Sequence, residues 1–96
     1  MNFKDIKFDK LDDFPYGINA MLSFGDYDVS VIQNPMSYGN KQGLYEIGVF
    51  KGEDMVELPG ITNENDTIAG FLTQDAVMVL LKKMYTITGV LPNEFN

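Results

Sequence analysis

Three acidic pairs are the residues of this chain that stand closest to chemistry: Asp12-Asp13, Asp26 with Asp28, and Glu53-Asp54. Two carboxyls can run general acid/base catalysis when their surroundings differ enough for one to hold a proton while the other does not. Each pair here lies instead among turn formers, in Asp12-Asp13-Phe14-Pro15-Tyr16-Gly17, in Gly25-Asp26 and in Lys51-Gly52-Glu53-Asp54, where solvation makes the two carboxyls alike. Asp26, Asp28 and the run Asn63-Glu64-Asn65-Asp66 carry oxygens of the kind Ca²⁺ takes, but neither has the central glycine and terminal glutamate of a calcium loop. Ser23, Ser30 and Ser37 lack a base: the chain has no His, and no Ser-x-x-Lys motif replaces it. Gly39 and Gly43 bracket Asn40-Lys41-Gln42 but are followed by Leu44, where a phosphate loop continues with Lys and Ser or Thr.

The pattern of absence is broader. Fourteen Asp and Glu face seven basic residues, all of them Lys, in 96 residues without His, Cys, Trp or Arg. Imidazole, thiolate and guanidinium are therefore missing together, and the expectation is a protein that is not an enzyme and holds no metal or cofactor. A formal charge of −7 repels nucleic acid and anionic membrane within about a Debye length, roughly 8 Å at physiological salt. No direct nucleic-acid binding is expected. The charge favours a basic protein surface, or the nucleic-acid channel of an enzyme that the chain would occupy as a decoy, and it also serves solubility.

Recognition falls to surface residues. Met36 and Tyr38, next to Pro35 on a long loop, put a flexible thioether and an aromatic ring where they can enter a partner or fold back onto the end of a sheet. Asp12, Asp13, Asp26, Asp28, Glu53 and Asp54 would form an acidic rim beside them if the topology brings the turns to one end.

The elements that must hold these residues follow from periodicity. Phe3 to Leu11 reads as an imperfect strand with Lys on an edge. Ile18 to Phe24 alternates Ile18, Ala20, Leu22 and Phe24 against Asn19, Met21 and Ser23; Gly25-Asp26 suits a type II′ turn; Tyr27, Val29 and Val31 then alternate with Asp28, Ser30 and Ile32. Gln33 to Gly43 is a loop. Leu44 to Phe50 is a further strand, with Tyr45, Ile47 and Val49 on one face, and Met55 to Leu58 returns as a short one. Pro59-Gly60 breaks the pattern, and Thr62 to Asp66 is a polar loop. Thr73 caps a helix reaching Thr88, with Asp75 in its first turn, a stripe of Val77, Leu80, Leu81, Met84 and Ile87, Gly89 after its end and Pro92 beyond. The fold class is α+β: one domain, an antiparallel meander of about four strands, and one C-terminal amphipathic helix on one face.

The longest apolar run, Ala76 to Leu81, falls short of the roughly 20 residues of a membrane span, so no membrane partner is expected. Mixed charges in Asn2 to Lys7 replace the apolar stretch of a signal peptide, and the lack of cysteine suits a reducing compartment. The runs Pro35 to Gly39, Gly43 to Ile47, Ile61-Thr62 and Asp66 to Thr73, followed by an amphipathic helix, resemble small uncharacterised proteins of bacteriophages and prophages over roughly Gly17 to Pro92. That resemblance implies a viral accessory protein acting in the cytoplasm of a bacterial host, and it brings no catalytic residues. The leading expectation is a non-enzymatic accessory protein that binds and modulates a host protein with a basic surface, such as a defence or nucleic-acid-processing factor. The competing one is a self-assembly module that pairs through a sheet edge into a homo-oligomer; a binder of a small molecule or nucleotide signal ranks third.

Overall fold

The computed structural model describes residues 2–13 and 16–92. Six strands and one helix follow each other as β1 (Asp9–Leu11), β2 (Gly17–Phe24), β3 (Tyr27–Gln33), β4 (Tyr45–Lys51), β5 (Asp54–Met55), β6 (Ile68–Leu72) and α1 (Gln74–Thr88). All pairings are antiparallel. Strands β1 to β4 lie in chain order, and β5 and β6 share the far edge of β4, β5 beside Phe50–Lys51 and β6 beside Tyr45–Gly48. The expected meander with a C-terminal helix is present, with more strands than about four.

Antiparallel register puts opposite residues on the same face, so the two faces can be read row by row. One face carries Ala20–Val31–Ile47–Ala69 and Leu22–Val29–Val49, all buried, with Phe24 and Tyr27 at the end of the next row. Helix α1 lies on this face and adds Val77, Met78, Leu81 and Met84 to the core. Of the ten residues expected in the core, Ala20, Leu22, Val29, Val31, Ile47, Val49, Val77, Leu81 and Met84 are buried and Leu80 is not fully so. The helix stripe is displaced, however: Leu80 is half-buried, Ile87 is 51% exposed, and Met78 is buried in their place. Successive residues turn by about 100°, so a rotation of less than one residue's arc toward Met78 accounts for all three.

The ends of α1 follow local chemistry. Thr73 Oγ1 accepts the Ala76 N–H at 3.1 Å, and Gly89, at φ +71, donates its N–H to the Tyr85 carbonyl at 2.7 Å. The β2–β3 turn has positive φ at Gly25 alone of its two central residues, as type II′ requires.

Three expectations need correction. Phe3 to Leu11 is not one strand: Phe3–Asp5 is a 3₁₀ turn, with Asp5 accepting the Asn2 N–H at 3.0 Å, and only Asp9–Leu11 pairs with β2. The turn sets Phe3 and Ile6 on one side, where Ile6 is buried and the Phe3, Phe8 and Tyr45 rings meet at 5.0 to 5.9 Å. The short return strand is Asp54–Met55 and not Met55 to Leu58. Val56 still donates its N–H to the Val49 carbonyl at 2.9 Å, and Val56 and Leu58 pack against the core as irregular chain. Third, Ile68–Leu72 is a strand that periodicity did not mark.

These placements separate core from surface. Leu81→Ala is expected to lower unfolding free energy by about 2–5 kcal/mol, and Ile87→Ala to change it by no more than about 0.5 kcal/mol, in urea denaturation.

Candidate functional site

The strand directions divide the sequence-predicted residues between two ends of the sheet. β2 and β4 run toward one end, which holds the Gly25-Asp26 and Gly52-Glu53 turns; β1, β3 and β6 run toward the other, which holds Asp12-Asp13, the loop Asn34–Leu44 and the start of α1. Asp26, Asp28, Glu53 and Asp54 therefore gather at the turn end, some seven residues of β2 away from Met36 and Tyr38, about 20–25 Å. Asp12 and Asp13 share the loop's end but follow β1, on the opposite edge from Tyr38, about 19 Å across the strand columns. No single acidic rim surrounds the loop. Among the described residues no group of three or more carboxylates lies close enough to hold a metal ion. Asp28 accepts the Ser23 hydroxyl at 2.7 Å, and the Lys51 ammonium sits 5.7 Å from the centre of the Tyr27 ring.

The loop itself is ordered by its own side chains. Buried Asn34 and Ser37 knot its start: Asn34 Oδ1 accepts the Met36 N–H at 2.9 Å, and the Ser37 hydroxyl donates to the Asn34 carbonyl at 2.9 Å. Gly39 and Gly43, both left-handed, bound a 3₁₀ turn at Asn40–Gln42. Between these devices Met36 stands 69% and Tyr38 58% exposed. Neither plugs the core.

Tyr38 leans on β6. Its N–H donates to Glu46 Oε2 at 2.7 Å, its carbonyl accepts the Phe71 N–H at 3.4 Å, and its ring stacks on that of Phe71 with centroids 6.1 Å apart. Gly70 makes this approach possible, since a Cβ there would stand 2.6 Å from the Cβ of Tyr38. Phe71 is the anomaly of the fold. It has φ +57 at the bulge where β6 takes three steps, from Ala69 to Leu72, against two on β4, from Ile47 to Tyr45. An aromatic residue in the left-handed region costs about 1–2 kcal/mol, and here the outcome is a ring that is 59% exposed. A core-building role does not account for strain that delivers a ring to the surface; strain of this kind gathers at binding sites. Shallow clefts of about 250 Å³ and 240 Å³ flank the stacked pair, the second also lined by Asn63, Asp66 and Ile68.

The corner continues into the uncovered face of the sheet. Its rows are Asp9–Asn19–Ile32–Glu46, Met21–Ser30–Gly48–Ile68 and Ser23–Asp28–Phe50–Met55. Met55 and Ile68 lie over Gly48, at 3.1 and 3.7 Å from the position of an added Cβ. Every charge in these rows is negative: Asp9, Asp28 and Glu46. The lysines lie elsewhere, with Lys10 and Lys51 in rows of the helix-covered face, Lys82 and Lys83 on α1, Lys4 and Lys7 in the N-terminal segment and Lys41 in the loop. Of this surface, composition had singled out Asp28, Met36 and Tyr38. Glu46, Phe50 and Phe71 were missed, the first two because they read as ordinary strand positions and the last because its backbone angle leaves no mark in the sequence. The chain matches no family model, no curated protein and no solved structure.

Gly70→Ala is expected to lift Tyr38 off β6 and lower stability by about 1–3 kcal/mol, whereas Phe71→Gly, which relieves the strain and loses only exposed stacking, changes it by no more than about 1 kcal/mol in either direction. Urea denaturation of both variants reads the difference; a loss above about 3 kcal/mol for Phe71→Gly would make the ring a core residue.

Proposed function

We propose that this chain is a non-enzymatic recognition protein that binds a basic surface of another protein through the uncovered face of its sheet and the Tyr38–Phe71 corner. The carrying observation is the segregation of charge: acids are the only charged residues in the rows of that face, beside Met21, Ile32, Phe50, Met55 and Ile68, and no lysine enters them. Such a surface steers a cationic partner from a distance and offers apolar contact once it has docked. Exposed aromatic rings set in a rigid frame are the usual anchors of interfaces, and Tyr38 and Phe71 are held from below by Gly70, Glu46 and the Asn34–Ser37 knot. The resemblance to phage and prophage proteins makes the partner a protein of the bacterial host, which binding would modulate or inhibit. Among the described residues no helix is long and apolar enough to cross a membrane.

Affinity capture from a bacterial lysate over a range of salt tests this reading, with the Asp9→Asn, Asp28→Asn, Glu46→Gln triple variant and Tyr38→Ala run beside the wild type. A protein retained by the wild type should associate more slowly with the triple variant, and its association should lose most of its salt dependence, because the field of surface charges acts on encounter. Tyr38→Ala should leave association intact and speed dissociation by about tenfold or more. Unchanged association of the triple variant at low salt would reduce the acidity to a device for solubility.

A further inference from the structure

The edge of β2 is divided. β1 pairs only with Gly17 to Asn19, and beyond Asn19 the strand runs five further residues, Ala20 to Phe24, without a paired strand on that side among the described residues. The two residues flanking a two-residue hairpin turn, here Phe24 and Tyr27, exchange both of their backbone hydrogen bonds. Counting back by two, Leu22 and Ala20 also bond to β3, which leaves the N–H and C=O of Met21 and Ser23 pointing outward in the plane of the sheet. The side chains alternate across the two faces with the same period, Leu22 and Phe24 buried on the core face and Met21 and Ser23 exposed on the open one. No other hydrogen bond reaches the backbone of Met21 or Ser23 among the described residues. The free stretch carries no Lys, no Pro and no bulge, the devices that guard an edge.

A second copy of this chain fits there poorly. In antiparallel pairing of two β2 strands that keeps core and open faces aligned and matches Ala20 with Phe24, the partner's β1, which occupies the other half of the same edge, is driven into the Gly25-Asp26 turn. Sliding the copies apart until that clash clears leaves only three residues of each strand opposed. A lone extended segment brings no β1 of its own to meet that turn.

We infer that Met21 and Ser23 form a strand-addition site, at which an extended segment of the partner continues the column of β1 and bonds to their free backbone groups. This deepens the proposed function and rests on it for the partner's charge. Residues of the added segment that exchange hydrogen bonds with Met21 and Ser23 must project onto the open face, near Asp9 and within a long side chain's reach of Asp28. Lys or Arg belongs at those alternate positions, and the residues between them are apolar or neutral.

The probe is a synthetic peptide of about ten residues alternating Lys and Val, added to the wild-type protein and followed by amide NMR and hydrogen exchange. Saturable binding should slow exchange of the Met21 and Ser23 amides by about tenfold or more. The same peptide N-methylated on its lysines, whose N–H groups would face β2, should bind at least about tenfold more weakly, and N-methylation on its valines, which face away, should change affinity by less than about threefold. Met21→Pro, which removes an outward N–H and no bond to β3, should weaken the unmodified peptide to the same degree. Equal binding of the two methylated peptides, or shifts confined to the open face with Met21 and Ser23 exchanging as before, would overturn the edge site while leaving the acidic face as the recognition surface. A peptide that shifts no signal at all would overturn both. Protection of Met21 and Ser23 in the peptide-free protein that falls on dilution would give the edge to a second copy and overturn the proposal.

Discussion

One helix has to cover a sheet five columns wide, and the rest of the molecule is arranged around that shortage. A helix with its side chains is about 10–12 Å across, while five columns at about 4.8 Å span roughly 20 Å. The core side is completed by other means: Phe3, Ile6 and Phe8 fold over Tyr45 on the strength of one 3₁₀ turn, and Val56, Leu58 and Ile61 press in from the chain between β5 and β6. Among the described residues no helix remains for the second face. An antiparallel sheet tolerates this, since strands of period two can be apolar on one side and solvated on the other. Here the second side is only partly polar, and its apolar residues are spread over three rows with carboxylates between them.

Charge segregation follows from the same geometry. Register locks every strand residue to one face, so a single offset in β4 would exchange Glu46 and Phe50 with Tyr45, Ile47 and Val49. The buried set fixes that register with several full side chains. The acids of the open face are then carried to one side as a consequence, and the lysines of β1 and β4 to the other. A face-selective field thus arises in a chain whose composition shows only a net negative charge.

Legibility in the sequence tracks how local the cause is. The β2–β3 hairpin, the cap at Thr73, the stop at Gly89 and the alternation of β4 each depend on neighbours within a few residues, and each was readable. β6 was not, because Gly70 interrupts its pattern and its reason for being extended is β4, more than twenty residues earlier. The loop holding Met36 and Tyr38 was visible as a run of turn formers, but its seat on Gly70 and Phe71 joins segments that no local period connects. The same holds for the acidic turns. Their positions were plain and their separation into two ends was a matter of strand direction, which composition does not carry.

The edge of β2 shows how small a departure from protection is enough. β1 is three residues long, carries Lys10 and covers three residues of β2, so a guarded half and an open half meet at Asn19. Two outward residues are too few to hold a strand by backbone bonds alone, since each such bond contributes only about 0.5–1.5 kcal/mol net. An unguarded edge of that length is therefore a weak template for indiscriminate pairing, and it gains strength only when side chains of the added segment also engage the neighbouring face. Specificity comes from that coupling. In the proposed strand addition the backbone of Met21 and Ser23 would fix the register of an incoming strand, register would decide which of its side chains meet the acidic rows, and the rows would disfavour a segment whose alternate residues carry negative charge.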